Sequence, residues 1–122
     1  ESEIKRSYCN MILQRYIHNP LLIQSRKFDI RVFALFVAHA KTGVLRGYYY
    51  DEGYIRTSCK EYDPSKVDNK FIHLTNDAIQ AQSTDYGKYE ISNKLSYKDF
   101  EAFLRTEKNQ SFTEKILPQI RK

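Results

Sequence analysis

The hydrophobic positions fall into short runs separated by turn-forming residues. Met11-Ile12-Leu13-Gln14-Arg15-Tyr16-Ile17 reads as a short strand, closed by the turn His18-Asn19-Pro20. Leu21-Leu22-Ile23 is a brief apolar anchor, and Gln24-Ser25-Arg26 leads into a longer β-rich run, roughly 28–39, read as a central strand. Lys41-Thr42-Gly43 marks a tight turn, residues 44–50 a second strand, Asp51-Glu52-Gly53 another turn and residues 54–59 a third strand. Short glycine-containing connections of this kind predict an antiparallel meander. Residues 62–69 and 83–93 are polar and read as loops, with a helical turn over 77–82 between them. The period then changes. Ser96-Tyr97-Lys98-Asp99 has the form of a capping box, after which Tyr97, Phe100, Phe103 and Leu104 share one helical face. Ser111-Phe112-Thr113-Glu114 repeats the cap, with Phe112, Ile116 and Ile120 on one face and Pro118 placed to kink or shorten the helix. The predicted class is α+β: an antiparallel sheet with C-terminal helices packed on it. Residues 1–7 are polar and read as a frayed end or the tail of a preceding helix.

Three charges interrupt this pattern at the entrance to the central strand. Lys27, Asp29 and Arg31 alternate with Phe28, Ile30 and Val32. Alternation puts the charges on one face, about 7 Å apart, and the apolar three on the other, toward a core. Charges beside a buried strand must be paired or must meet a ligand. A nucleotide would use all three, since cations suit phosphates and a carboxylate suits ribose hydroxyls; a solvated strand end whose charges pair among themselves is the alternative. Gln14-Arg15-Tyr16-Ile17 reads either as a strand beside an adenine ring or as an ordinary strand. Arg56 is a lone arginine between Ile55 and Thr57, either a surface residue or a third cation beside Lys27 and Arg31. Thr75 and Asn76 precede a helix start, so they are caps or contacts to ribose and phosphate. His73 has no Cys or His at ligand spacing, which argues against zinc. His18 and His39 read as turn and strand residues, and Asp51-Glu52 as a turn pair.

Composition narrows the partner. A chain of 122 residues that is 41% hydrophobic folds as one small domain and is not disordered. Twenty Lys and Arg against 15 Asp and Glu give a net charge of +5, which favours an anionic partner: a nucleotide, a nucleic acid or an acidic polypeptide. No aromatic–basic stacking signature supports a nucleic acid. The apolar runs fall far short of the ~18 residues a membrane span requires. Cys9 and Cys59 form neither a disulfide framework nor a metal spacing, and fit reduced thiols of the cytosol. A first residue other than Met, and a last residue directly after Ile-Leu-Pro-Gln-Ile, raise the expectation of a piece of a longer protein.

Taken in order, these segments resemble the tubulin–tyrosine ligase and tubulin tyrosine ligase-like family. The carriers are Gln14-Arg15-Tyr16-Ile17-His18-Asn19-Pro20-Leu21-Leu22, Arg26-Lys27-Phe28-Asp29-Ile30-Arg31, Glu52-Gly53 with Ile55-Arg56-Thr57, and His73-Leu74-Thr75-Asn76, and the likeness runs from about Ile12 to about Leu104. Each tetrapeptide is weak alone; the ordered set is specific. The resemblance implies an ATP-grasp fold, here a partial domain over 1–122 that lacks the upstream phosphate-binding lysines and the downstream magnesium-ligand strand. It implies an ATP-dependent ligase that joins a free amino acid to the acidic C-terminal tail of tubulin through an acyl-phosphate. Gln14, Arg15, Tyr16 and Ile17 would line the adenine pocket, mostly through backbone; Lys27 would approach the base, Asp29 the ribose, Arg31 and Arg56 the phosphates or acyl-phosphate as the catalytic pair, and Thr75 and Asn76 the ribose and phosphates. By the same resemblance the magnesium ligands are an aspartate and a later Glu-x-Asn pair, expected outside this chain with no Glu-x-Asn read within it, so the chain alone is expected to be nearly inactive. The implied location is the cytoplasm, at microtubules or cilia, with no nucleic-acid or membrane partner. Tyr86-Gly87-Lys88-Tyr89-Glu90 and residues 97–104 look closest to the tyrosine-ligase branch rather than to the glycylating branch. Polyglutamylation, or a non-catalytic tubulin-binding module, are the alternatives.

Overall fold

The computed structural model describes residues 12–122. Residues 1–7, Cys9 and Met11, read above as a chain end, a thiol and a strand start, lie outside the described residues. The rest is a mixed α+β unit. A four-stranded antiparallel sheet runs β1(Leu22–Ile23), β2(Arg26–Arg31), β5(Tyr54–Glu61), β6(Lys94–Ser96) in spatial order, and β3(Ala34–Ala38) with β4(Leu45–Tyr49) forms a separate hairpin. Short helices α1(Lys70–His73) and α2(Asp77–Gln80) follow β5, and α3(Tyr97–Lys108) and α4(Leu117–Ile120) close the chain. The expected class is observed: an antiparallel sheet with C-terminal helices on it.

The strands differ from the sequence expectation in four places, one of them β6, where the sequence reading assigned no strand. Residues 12–17 form no strand, because no neighbouring chain pairs with them among the described residues; Leu13 is fully exposed. The run over 28–39 is two strands in two sheets. β2 ends at Arg31, and β5 returns directly beside it, with Tyr54 opposite Arg31. The expected second strand is therefore expelled with β3 as a hairpin, and the three do not form a meander. Gly53 permits this return: a Cβ there would sit 2.2 Å from the Arg31 carbonyl oxygen and 2.2 Å from the Tyr97 hydroxyl. The third difference is β1, which joins β2 through Gln24 and Ser25, both at positive φ (46° and 62°). That turn matches the strand twist.

Alternation on β2 sorts the sheet's two faces as expected. Ile30, Ile55 and Leu95 stand opposite one another on neighbouring strands, and so do Asp29, Arg56 and Lys94 one residue away. The first row is apolar. It meets Phe100 and Leu104 of α3, Phe112 and Leu117, with Phe28 and Ile30 packed around them. The helix starts are those read from the sequence. Ser96 accepts from the Asp99 N–H, and the Asp99 carboxylate accepts from the Ser96 N–H, a complete capping box. Ser111 likewise accepts from the Glu114 N–H. Pro118 has no N–H to give to the preceding turn, and the chain there widens into a π-turn, Phe112–Ile116, before α4. The second row is polar and faces away from α3 and α4.

Candidate functional site

The polar face of the sheet carries the residues singled out from the sequence. Asp29 stands opposite Arg56, and Arg31, two residues on, opposite Tyr54. Arg31 and Arg56 are therefore on the same face, as diagonal neighbours with Cβ atoms roughly 7–8 Å apart. Asp29 and Arg56 engage each other: Arg56 Nε donates to Asp29 Oδ1 at 2.9 Å and Arg56 Nη2 to Asp29 Oδ2. This pairing raises the Arg56 pKa above its ordinary value, the hydrogen bond to Asp29 being the largest cause. The Nη1 edge of the guanidinium makes no hydrogen bond among the described residues, so Asp29 aims Arg56 without exhausting its donors. Arg31 is exposed and has no acidic partner among the described residues; its guanidinium lies 5.5 Å from the Phe33 ring.

Lys94 completes the row. Its Nζ is 3.2 Å from Asp77 Oδ1, the same oxygen that accepts from the Tyr86 hydroxyl at 2.7 Å. The Tyr86 hydrogen bond, then Lys94, holds the Asp77 carboxyl below the usual carboxylate range. The sequence reading missed Lys94; only its register opposite Arg56 reveals it.

Lys27 sits where β2 and β5 lose register. Between the pairs Arg26–Glu61 and Phe28–Thr57, β5 carries two extra residues, a bulge. Lys27 N donates to the Ser58 hydroxyl at 3.1 Å in place of a strand partner. The N–H of Cys59, inside the bulge, donates to Gln80 Oε1 at 2.7 Å. Gln80, buried in α2, also donates through Nε2 to the carbonyls of Leu74 and Phe71. One amide thus fastens the segment His73-Leu74-Thr75-Asn76 to the bulge. Lys27 Nζ reaches the same segment, donating to the His73 carbonyl at 2.8 Å. Thr75 is buried, and Asn76 holds the N-cap position of α2 without a side-chain cap hydrogen bond. Capping by the Asn76 side chain, one of the two readings from sequence, is therefore not what is observed.

Gln14, Arg15, Tyr16 and Ile17 line a cavity of about 510 Å3 together with Lys27. Five expected site residues thus share one concavity, and Asp29, Arg31 and Arg56 continue from Lys27 along and across the strands.

The other large omission of the sequence reading is Arg26. It is fully buried, donates from Nη1 to Glu90 Oε2 at 3.0 Å and from Nη2 to Glu90 Oε1, and lies 4.0 Å from the Tyr89 ring centroid. The bidentate pair straps the 83–93 loop onto the face of the sheet that also carries Thr57. A strand arginine beside Lys27 looks like one more surface cation; nothing local distinguishes it. Glu107-Lys108-Asn109 is a Glu-x-Asn tripeptide that the sequence reading passed over. It ends α3, with Asn109 as a left-handed C-cap (φ 49°), and lies on no strand. Among the described residues no group of three His, Cys, Asp or Glu is placed to hold a metal.

Comparison with known proteins bears on the same chain. The tubulin-tyrosine ligase family profile matches residues 2–122. The chain is 40% identical over 114 residues to tubulin glycylase 3D of Tetrahymena thermophila, covering 90% of this chain and 11% of that protein. It is 36% identical over 121 residues to tubulin glycylase 3C of the same organism, covering 96% and 11%. It is 42% identical over 77 residues to the probable tubulin polyglutamylase TTLL9 of Bos taurus, covering 63% and 16%. The chain thus spans between 11% and 16% of the length of these relatives. They are glycylases and a polyglutamylase, so they lend no support to the tyrosine-ligase likeness read from Tyr86-Gly87-Lys88-Tyr89-Glu90. Ordered motifs, the polar sheet face and a match along nearly the whole chain agree: the protein belongs to the tubulin-tyrosine ligase family.

Proposed function

We propose that the protein is part of an ATP-dependent ligase that attaches an amino acid to an acidic tubulin tail, and that the polar sheet face is its nucleotide side. The observation that carries this reading is the arrangement of Arg31 and Arg56 on one face, one without an acidic partner among the described residues and the other aimed by Asp29 with an edge left over. ATP would supply the phosphoryl group that activates a carboxylate. The residues present fit an extended polyanion with a base at one end: a cavity at Gln14–Ile17, Lys27 at its wall, then Arg56 and Arg31. Fixed guanidinium groups stabilise charge that develops during phosphoryl transfer without having to reorganise. Asp29 keeps Arg56 from swinging away, and Lys94 adds positive charge at the far side of the row. Magnesium, where bound, would supply further charge neutralisation to such phosphates; the described residues do not form a site for it, and it enters none of these assignments.

The relatives' names favour glycine or glutamate as the amino acid transferred, ahead of tyrosine. In the full-length protein, incubation with tubulin, ATP and each amino acid separately should give transfer of one of them. Arg31→Ala should reduce that transfer by a factor on the order of 100, the effect of removing one oxyanion-type donor. Transfer near wild type would refute the role of Arg31. Tubulin binding with no ATP consumption would instead favour a non-catalytic module, and the cytoplasmic, microtubule-associated location proposed for the protein would then rest on binding alone.

A further inference from the structure

Residues 12–19 belong to no sheet, yet six of them, Ile12 to Ile17, form the wall of the cavity assigned to the base. Among the described residues, three hydrogen bonds tie this segment to the rest: one ends on His73, and the other two come from Lys27 and Tyr62, each of which also contacts His73. His73 Nε2 lies 3.0 Å from the Lys66 carbonyl oxygen. A carbonyl only accepts, so Nε2 carries the proton, and in the neutral ring Nδ1 is left as an acceptor. The Tyr16 hydroxyl, 2.8 Å from Nδ1, is then the donor. Its oxygen accepts in turn from Lys27 Nζ at 3.3 Å, and the ammonium lies 4.6 Å from the Tyr16 ring centroid. The Tyr62 ring meets the His73 ring edge-on at 5.8 Å, while its hydroxyl donates to the His18 carbonyl at 2.7 Å. The opposite His73 tautomer would set a bare Nε2 against the Lys66 carbonyl oxygen, acceptor against acceptor.

We infer that His73, in its Nε2–H tautomer, is a positioning residue that braces Gln14–Ile17 against Lys27 and thereby sets the selectivity for adenine over other bases. This rests on the nucleotide reading above. The segment has no sheet ladder to hold its backbone, so reading a base edge through backbone groups requires a brace from side chains. Tyr16, Lys27 and His73 supply one, and His73 is the member anchored on both of its nitrogens. An Asn side chain can place an acceptor near the Nδ1 position, and a Gln side chain a donor near the Nε2 position, which separates the two contacts.

The experiment measures ATP and GTP binding to the full-length protein by calorimetry, for wild type, His73→Phe, His73→Gln and His73→Asn. Loss of the Tyr16 contact should weaken ATP about tenfold in His73→Phe and His73→Gln and leave GTP nearly unchanged, so that discrimination shrinks. His73→Asn should stay within about threefold of wild type. Equal losses for both nucleotides in all three variants, or no loss in any, would overturn the inference. Two readouts do not depend on nucleotide. Long-range proton–nitrogen correlation spectra should show the Nε2–H tautomer, and amide exchange over 14–18 should accelerate in His73→Phe. The reverse tautomer, or unchanged exchange, also overturns it. A wild type that binds neither nucleotide while both readouts come out as expected removes the nucleotide reading and the base selectivity together, and leaves the brace as a structural contact.

Discussion

Among the described residues Arg26 is the largest side chain withdrawn completely from solvent, and its charge is balanced by one carboxylate. Both Glu90 oxygens accept from it, and Glu90 Oε2 also accepts from the Thr57 hydroxyl at 2.9 Å. The remaining partners of the guanidinium are neutral: Thr57, the Ser58 carbonyl at 3.2 Å and Gln24 at 3.3 Å. The buried Nε has no partner at all among the described residues. Glu90→Ala therefore leaves a buried cation without a counter-charge, a change that costs about 3–5 kcal/mol. A domain of this length has roughly 6–18 kcal/mol of total stability at the usual yield per residue, so the loss is a large fraction of it. Urea unfolding followed by circular dichroism should show the midpoint falling with the slope unchanged. Amide exchange should accelerate first in residues 83–93, the loop that Glu90 ties down. Replacing both partners, Arg26→Met with Glu90→Leu, should recover most of the loss, because no charge is then buried. A Glu90→Ala protein within about 1 kcal/mol of wild type would refute the reasoning and show that Arg26 does not depend on this carboxylate.

Three further outcomes follow from the same geometry. Gly53→Ala should prevent β5 from returning beside β2, because the new methyl would meet the Arg31 carbonyl oxygen at 2.2 Å, and backbone cannot give way as a side chain can; thermal unfolding should show a loss of several kcal/mol, about the largest class of single-site effects, and a shift within 1 kcal/mol would count against the close approach. Ser96→Ala should cost about 1 kcal/mol by removing the cap of α3, while Ser96→Asp should be nearly neutral; denaturant midpoints decide it. Glu101 accepts from the Thr113 N–H at 2.9 Å, and this bond above all holds its carboxyl down to about 2, from 4.5. A lowered folded pKa means that the contribution is fully present above the unfolded value. It should be lost as pH falls from about 4.5 to about 2, and Glu101→Gln should flatten the stability–pH curve in that window.

Much of this architecture is legible from a few neighbouring residues. The capping boxes at Ser96 and the repeated cap at Ser111, the apolar face of α3 and the widened turn before Pro118 are encoded within four or five positions, because helix capping and side-chain periodicity are local interactions. The alternation of Lys27, Asp29 and Arg31 against Phe28 and Ile30 is likewise local, and it placed the charged face correctly. The β-rich run over 28–39 shows where local pattern stops. Its residues have strand character throughout, but which strand they pair with depends on Gly53, 22 positions beyond Arg31. The partners of Asp29, Arg26 and His73 lie 27, 64 and 57 residues off. A charge on a strand looks the same in sequence whether it meets water, a ligand or a carboxylate, since its own neighbours do not set the electrostatic field it meets. Tertiary structure decided that Asp29 aims Arg56, that Arg26 is a buried strap rather than a surface cation, and that Tyr16 is held by a histidine, because these energies come from burial and register across strands and loops that only folding brings together.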